Sequence, residues 1–232
     1  MKYYIIAGEP SGDLHSSNFM KELNLLDKAY DYKFLGGDLM EKVSGRKPTI
    51  HINQMAFMGF VDVAKNLGKI KKNFKIVKED ILSYKPDVVI LVDYPGFNLR
   101  MAKWAKENGI KVFYYISPTV WAWKEGRVKI IKKYVDEMFV ILPFEPPFYK
   151  KYDCNAEFVG LPLLDEIEER KKTLMSKEDF VRKNNLSSKP LIAVLPGSRK
   201  QELERMFDIM LQFKDEFKDY EFVIGATSNI PR

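Results

Sequence analysis

Four short loops carry residues whose types could do chemistry, and each loop follows an apolar run of strand character. The first is Gly8–Asp13, "GEPSGD", after "KYYIIA", and the second is Asp93–Asn98, "DYPGFN", after "DVVILV". The third is Ser117–Trp123, "SPTVWAW", after "KVFYYI", and the fourth is 196–199, "PGSR", after "LIAVL". Ligands of open parallel sheets bind outside the carboxyl ends of the strands. The four loops are therefore the candidate site.

The first loop combines glycines with a carboxylate at the start of a predicted helix. Its glycines allow a ligand to approach the backbone, and the helix offers N–H groups and the positive end of its dipole. The loop is neither G-x-G-x-x-G nor a Walker A sequence, which disfavours a dinucleotide or ATP site. We expect Glu9, Ser11, Gly12 and Asp13 to bind substrate. The alternative is that Ser11 or Asp13 only caps the helix.

The second loop places a carboxylate at the end of a buried strand. Asp93 is followed closely by Tyr94 and Phe97, so it should be partly desolvated and suited to act as a general base. Asn98 is a further binding candidate. In the alternative interpretation, Asp93 accepts hydrogen bonds from the turn and Asn98 caps the next helix.

The third loop could bind a sugar or an acyl chain, and the fourth loop could bind a diphosphate. Trp121 and Trp123 can form a flat apolar surface for a sugar or an acyl chain, although two such residues are more often core. The turn at 197–199 opens a predicted helix with an arginine, which suits a diphosphate. The alternative for that arginine is a surface ion pair with Glu202 or Glu204.

The order of elements predicts an α/β protein. Apolar runs that would be buried on both faces alternate with helix-like stretches, as in a doubly wound, Rossmann-like parallel sheet. A highly charged stretch without strand character then interrupts the alternation, which restarts near residue 190. We therefore expect a first domain over 1–165, a charged helical linker over 166–189, and the first βαβ of a second Rossmann-like domain over 190–232.

The composition indicates which kinds of chemistry and which cellular compartment to expect. The chain has 232 residues, one cysteine and two histidines that are far apart in sequence. These residues offer no internal disulfide and no metal-ligand cluster, so we expect a reducing compartment, no metal and no cofactor. No apolar run approaches the ~20 residues of a membrane span, and the first residues do not resemble a signal peptide. We expect a cytoplasmic protein.

The net charge of +6 is concentrated in a lysine-rich segment, with no acid between Lys65 and Lys78. Helical spacing puts apolar residues on one stripe and places Ile76 among lysines on the far face. The commoner interpretation is a solvated basic face. The alternative is docking on anionic lipid, and nucleic acid is disfavoured because no recognition motif is present. The membrane-facing candidates are Phe57, Phe60, Lys65, Lys69, Lys72 and Ile76.

Taken in order, these segments resemble the lipid-A-disaccharide synthase family. The resemblance runs through "AGEPSGD", "MGFVDV", "DYPGFN", "SPTVWAWKEGRV", "LPFE", "FVGLPLLD" and "LPGSRKQE". It implies a GT-B glycosyltransferase, bound peripherally to the inner membrane of Gram-negative bacteria, that is inverting, metal-independent and compatible with a homodimer. It further implies that UDP-2,3-diacylglucosamine and 2,3-diacylglucosamine 1-phosphate react to give the disaccharide 1-phosphate and UDP, and that most of the second domain lies beyond Arg232.

The candidate residues fit this reaction in individual roles. Asp93, which ends the central strand, would be the general base, and Arg199 would stabilise the departing UDP. The substrate-binding residues would be Glu9, Ser11, Gly12, Asp13, Asn98, Ser117, Trp121, Trp123, Gly197, Ser198 and Glu202. Two positions depart from the family pattern: Gly96 stands where Asp is frequent, and Leu161 stands where His is frequent. If an Asp at position 96 is the family's base, Asp93 is not.

Other classes of function stay open from the sequence. One is a non-catalytic fragment that binds the acceptor lipid or the membrane. Another is a different GT-B enzyme or a sugar-nucleotide epimerase. A Rossmann oxidoreductase is least favoured because no dinucleotide fingerprint follows any strand.

Overall fold

The computed structural model describes residues 1–55, 67–197 and 200–226, with only the backbone at 200 and 201. The chain divides into two compact units, Met1–Glu166 and Ile167–Arg232, and each is described by itself.

The described part of the first unit is built on a seven-stranded parallel sheet in the order β3-β2-β1-β4-β5-β6-β7. This arrangement confirms the predicted doubly wound fold, with β1 and β4 as central neighbours. The strands are β1 Lys2–Ala7, β2 Asp31–Gly36, β3 Ile50–His51, β4 Val88–Val92, β5 Lys111–Tyr115, β6 Glu137–Val140 and β7 Glu157–Phe158.

Helices cover both faces of this sheet, because alternate residues of each strand point to opposite sides. Tyr4 and Ile6 of β1 belong to one buried cluster, and Tyr3 and Ile5 belong to the other. The helices of this unit are α1 Pro10–Leu26, α2 Asp38–Ser44, α3 Leu67–Tyr84, α4 Pro95–Glu107, α5 Arg127–Tyr134 and α6 Glu145–Lys150. A further helix, α7 Pro162–Lys171, begins in the first unit and ends in the second.

Helix α3 corrects one expectation about the lysine-rich segment. Ile76 is partly buried and packs against the core instead of pointing away from it. The reason is that polar Asn73 lies in the buried face, where its amide Nδ2 is 2.9 Å from the sulfur of Met55, so the face is displaced from the apolar stripe. Lys69 and Lys72 are exposed. The other membrane-facing candidates, Phe57, Phe60 and Lys65, lie outside the described residues.

The second unit contains a parallel pair, β8 Leu191–Val194 and β9 Glu221–Ile224, joined through α9 Lys200–Gln212. This is the predicted first βαβ. It is preceded by α8 Lys177–Lys183, whose N-cap Ser176 accepts a hydrogen bond from the Asp179 N–H at 3.0 Å. Among the described residues, no helix combines the length and apolarity that crossing a membrane requires.

Candidate active site at the carboxyl edge of the sheet

The first and second loops meet at one edge of the sheet. Ala7 and Val92 are paired in register, so Gly8 and Asp93 leave neighbouring strand ends. A Cβ atom on Gly8 would lie 2.3 Å from Cδ1 of Tyr94, which means that the tyrosine ring occupies the space above the glycine. The two loops are therefore in direct contact, and the missing side chain at position 8 makes that contact possible.

The Asn98 side chain links the ends of β1 and β4. It is fully buried, and its Nδ2 donates to the carbonyl oxygens of Ile6, Val92 and Asp93 at 3.3, 3.1 and 2.7 Å. Its Nδ2 is thus committed to these carbonyls, whereas its buried Oδ1 has no hydrogen-bond partner among the described residues. That Asn98 binds substrate stays a prediction. The alternative of a helix cap is not observed, since the start of α4 has no side-chain cap.

The turn that carries the candidate base is strained. Asp93 and Tyr94 both have positive φ, 43° and 49°, a region that residues other than glycine rarely adopt. The Tyr114 hydroxyl donates to the Asp93 carbonyl at 2.6 Å and helps to hold this turn. Such strain persists where the surroundings fix it, and it concentrates at functional sites.

The environment of Asp93 prepares its carboxyl group to exchange a proton near neutral pH. Burial raises the pKa of Asp93 to about 6, the negative charge of Glu9 adds to this rise, and the Tyr94 N–H opposes it. A general base works best with a pKa near the operating pH. Burial and Glu9 also raise the pKa of the Tyr94 phenol, so that group stays neutral. Asp93 thus has the electrostatics expected of a base.

Asp13 of the first loop has a structural position. Its side chain is buried, and its two oxygens accept hydrogen bonds from the backbone N–H groups of Gly37, Leu39 and Met40 at 2.8, 3.0 and 3.1 Å. It caps α2, not its own helix, which corrects both interpretations made from the sequence.

The rest of the first loop divides into a buried and an open part. Gly12 is buried, and a Cβ there would lie 3.2 Å from the Ala7 Cβ. Glu9 is half-buried and Ser11 is exposed. Of these two candidates, Ser11 is thus exposed to solvent and Glu9 is partly exposed.

The third loop presents its tryptophans to solvent. Trp121 is 37% exposed and Trp123 is 53% exposed, so the core interpretation is wrong for both. The Trp121 ring meets Phe144 edge-on at 5.0 Å between centroids. Trp123 has two cations against its ring, the Lys124 Nζ at 4.4 Å and the Arg127 Cζ at 5.3 Å from the centroid.

Ser117 and Glu145 anchor the third loop to α6. Ser117 is buried, which corrects its expected binding role; its hydroxyl donates to the Pro118 carbonyl at 2.8 Å and lies 2.6 Å from the Tyr149 hydroxyl. The Glu145 carboxylate accepts from the N–H groups of Ile141 and Leu142. Burial raises the pKa of Glu145, and the hydrogen bonds from the Leu142 and Ile141 N–H groups oppose this rise.

The fourth loop belongs to the second unit. Gly197 has a φ of 116°, and a Cβ there would lie 2.4 Å from Oε2 of Glu202, so the glutamate side chain lies directly on the glycine turn. Ser198 and Arg199 lie outside the described residues. Within the described ranges, no cluster of three or more His, Cys, Asp or Glu side chains forms a candidate metal site.

Sequence reasoning missed Tyr114 and Arg127 as parts of this edge. Arg127 follows the third loop directly and opens α5, so its place next to a candidate loop was an available signal. Tyr114 gave none, because an aromatic residue in a buried strand is ordinary core.

Comparison with known proteins gives a consistent family match. The family model described as lipid-A-disaccharide synthetase matches residues 3–229. The lipid-A-disaccharide synthase of Geobacter metallireducens is 39% identical over 97% of this chain and 59% of its own length. That of Coxiella burnetii strain Dugway is 38% identical over 97% of this chain and 60% of its own length. The chain thus spans about three fifths of the length of these curated relatives.

Solved structures share the fold at low sequence identity. UDP-GlcNAc 2-epimerase from Neisseria meningitidis has a TM-score of 0.63 at 14% identity and covers 99% of this chain and 67% of that one. Sucrose-phosphate synthase from Thermosynechococcus elongatus has a TM-score of 0.60 at 11% identity and covers 96% of this chain and 70% of that one. These similarities support the predicted GT-B type fold and carry no information on substrate.

Proposed function

This chain belongs to the lipid-A-disaccharide synthetase family, and from that premise we propose that it serves a glycosyl transfer in lipid A biosynthesis. The acceptor is 2,3-diacylglucosamine 1-phosphate and the donor is UDP-2,3-diacylglucosamine. The 6-hydroxyl oxygen of the acceptor bonds to the anomeric carbon of the donor. The bond from that carbon to UDP breaks, and UDP leaves with the electron pair.

Asp93 takes the proton of the attacking hydroxyl. The observation that carries this role is its place at the end of β4, in a strained turn beside Glu9, with a pKa of about 6. A base on the face opposite the leaving group gives inversion of configuration. Proton transfer to a positioned side chain typically contributes about 10²–10⁴-fold in rate.

The diphosphate of UDP is held by the fourth loop. Backbone N–H groups of Gly197 and Ser198 and the guanidinium of Arg199 neutralise the charge that develops on UDP, which is the task a metal ion performs in other transferases. Support comes from the sequence "LPGSR" after a strand and from Gly197, whose positive φ makes the tight turn. We assign residues 1–165 to acceptor binding, 166–189 to a linker and 190–232 to the start of the UDP-sugar domain.

The acceptor side uses the exposed groups of the first unit. Glu9 and Ser11 face the sugar, and Trp121 and Trp123 supply its apolar wall. The site is shaped from beneath by the buried Asp13, Gly12 and Ser117, and Asn98 joins the ends of β1 and β4.

Both substrates are acylated, so we place the protein on the cytoplasmic face of the inner membrane. Exposed Lys69 and Lys72 of α3 attract anionic headgroups, each contributing about 1 kcal/mol near the surface. Co-sedimentation with vesicles of anionic and of neutral lipids tests this location. Binding that is equal for the two compositions would refute a role for these lysines.

The experiment that tests the function uses the whole protein and measures UDP release with both acylated substrates. Asp93→Asn should lower kcat by about 10²–10⁴-fold, whereas Glu137→Gln, which changes an exposed carboxylate on β6, should not. Because the base must be ionised, kcat/KM of the parent should fall as the pH drops below about 6. A chelator should leave the rate unchanged. A near-normal rate for Asp93→Asn would reject the assignment of the base.

A further inference from the structure

Two cations share one exposed aromatic ring beside the candidate site. The Lys124 Nζ and the Arg127 Cζ lie 4.4 and 5.3 Å from the centroid of Trp123. Two like charges against the same ring repel each other. An anion that contacts both of them would relieve that repulsion.

The nearby carboxylate, Glu125, is bound to another partner and not to these cations. Glu125 is the one carboxylate in the segment 116–127, and it accepts a hydrogen bond from the Tyr152 hydroxyl at 2.6 Å. Among the described residues, neither Lys124 nor Arg127 forms an ion pair with a carboxylate. Their charges are therefore available to a ligand.

The backbone conformation positions the segment that carries these two cations. Lys124 has a φ of 59°, which lysine rarely adopts, and the Arg127 N–H donates to its carbonyl at 3.0 Å. Arg127 is also near enough to the Tyr114 phenol to affect it electrostatically, and that phenol bonds to the Asp93 carbonyl. Arg127 thus stands at the same sheet edge as the candidate base.

We propose that Lys124 and Arg127, with the face of Trp123, form a subsite for the phosphate monoester of a sugar phosphate. The guanidinium offers two parallel N–H groups to phosphate oxygens, the lysine adds a point charge, and the part of the indole that the cations leave exposed packs against the sugar or its substituents. The identification of this phosphate with the 1-phosphate of the acceptor rests on the proposed function. The subsite itself rests on the ring and its two cations.

The test compares two ligands that differ only in the phosphate. Binding of 2,3-diacylglucosamine 1-phosphate and of the same lipid with a free 1-hydroxyl is measured in detergent micelles by calorimetry. Parent chain, Arg127→Gln, Lys124→Gln and the control Lys129→Gln are compared; Lys129 is exposed on the same helix. Arg127→Gln should weaken binding of the phosphorylated lipid by about 10-fold or more and Lys124→Gln by less. The control and the dephosphorylated lipid should show no change.

A second measurement separates this inference from the proposed function. The indole N–H signal of Trp123 is followed by NMR as water-soluble glucosamine 1-phosphate is added. A shift in the parent that is lost in Arg127→Gln supports the subsite, even if the whole protein shows no glycosyl transfer. No shift in the parent overturns it. Equal affinity of the parent for the two lipids also overturns it and leaves the proposed transferase intact.

Discussion

Replacing Asp93 by Asn should stabilise the folded first unit while it removes the candidate base. The carboxyl group takes up a proton at a higher pH in the folded chain than in the unfolded chain, because burial and Glu9 disfavour its ionised form. Asparagine has nearly the same shape, tolerates the positive φ of this turn, and can still accept a hydrogen bond from the Tyr94 N–H. It carries no charge to bury.

The size and sign of this effect follow from the rise of the pKa. From 3.8 to about 6, the rise corresponds to about 3 kcal/mol between the two protonation states, which is an upper limit for the gain. Between about pH 4 and pH 6 the folded chain binds more protons than the unfolded one, so the stability of the parent falls as pH rises through this window. Above about pH 6 the Asp93 carboxyl is ionised in both states, and the folded chain bears the full cost of burying this charge. The variant should thus match the parent near pH 4 and exceed it near pH 8.

Tryptophan fluorescence makes the measurement specific for the first unit, because all three tryptophans, Trp104, Trp121 and Trp123, lie in it. Urea unfolding of the 232-residue chain, parent and Asp93→Asn, is followed across this pH range. The exposed Glu137→Gln serves as the matched control and should show a constant difference. A difference between Asp93→Asn and parent that does not grow with pH would refute the electrostatic reasoning.

Three further substitutions test the rest of the site. Asp13→Ala leaves three backbone N–H groups without their acceptor and should lower the free energy of unfolding by about 2–4 kcal/mol. A loss below about 1 kcal/mol in urea unfolding would contradict the role of Asp13 as the cap of α2. Gly8→Ala places a Cβ 2.3 Å from the Tyr94 ring and should lower the free energy of unfolding by about 1–3 kcal/mol. In the double variant, Tyr94→Ala should restore most of this loss. Losses of unfolding free energy that are purely additive would show that the ring is not the obstacle. Gly96→Asp meets no atom within 4 Å and lies in the first turn of α4, so urea unfolding should show a stability within about 1 kcal/mol of the parent. In the whole protein, turnover restored by Gly96→Asp on an Asp93→Asn background would show that a carboxylate at position 96 can act as the base; we expect none.

The strands and their order were accessible from the sequence because buried parallel strands are continuous apolar runs. The run "KYYIIA" is the observed β1, and "VVILV" is β4. The contact between the first and second loops followed as well, since sequential βα units place β1 and β4 side by side at the switch point of the sheet.

What the sequence could not show depends on partners that are distant along the chain. Asp13 bonds to Gly37, and Asn98 Nδ2 bonds to Ile6, and local sequence predicts neither contact. Residue type alone favours burial of Trp121 and Trp123, whereas the fold exposes both. Helical periodicity puts Ile76 on the far face because it counts apolar residues and overlooks the buried Asn73.

The Tyr94 ring above Gly8 has a mechanical consequence. The ring fills the volume that a side chain on the glycine would need, so neither segment can shift toward the other without a collision. If the proposed sugar site beside Glu9 is correct, a movement of this loop on binding would therefore reach the peptide that carries Asp93. It would change the orientation of the Asp93 carboxylate.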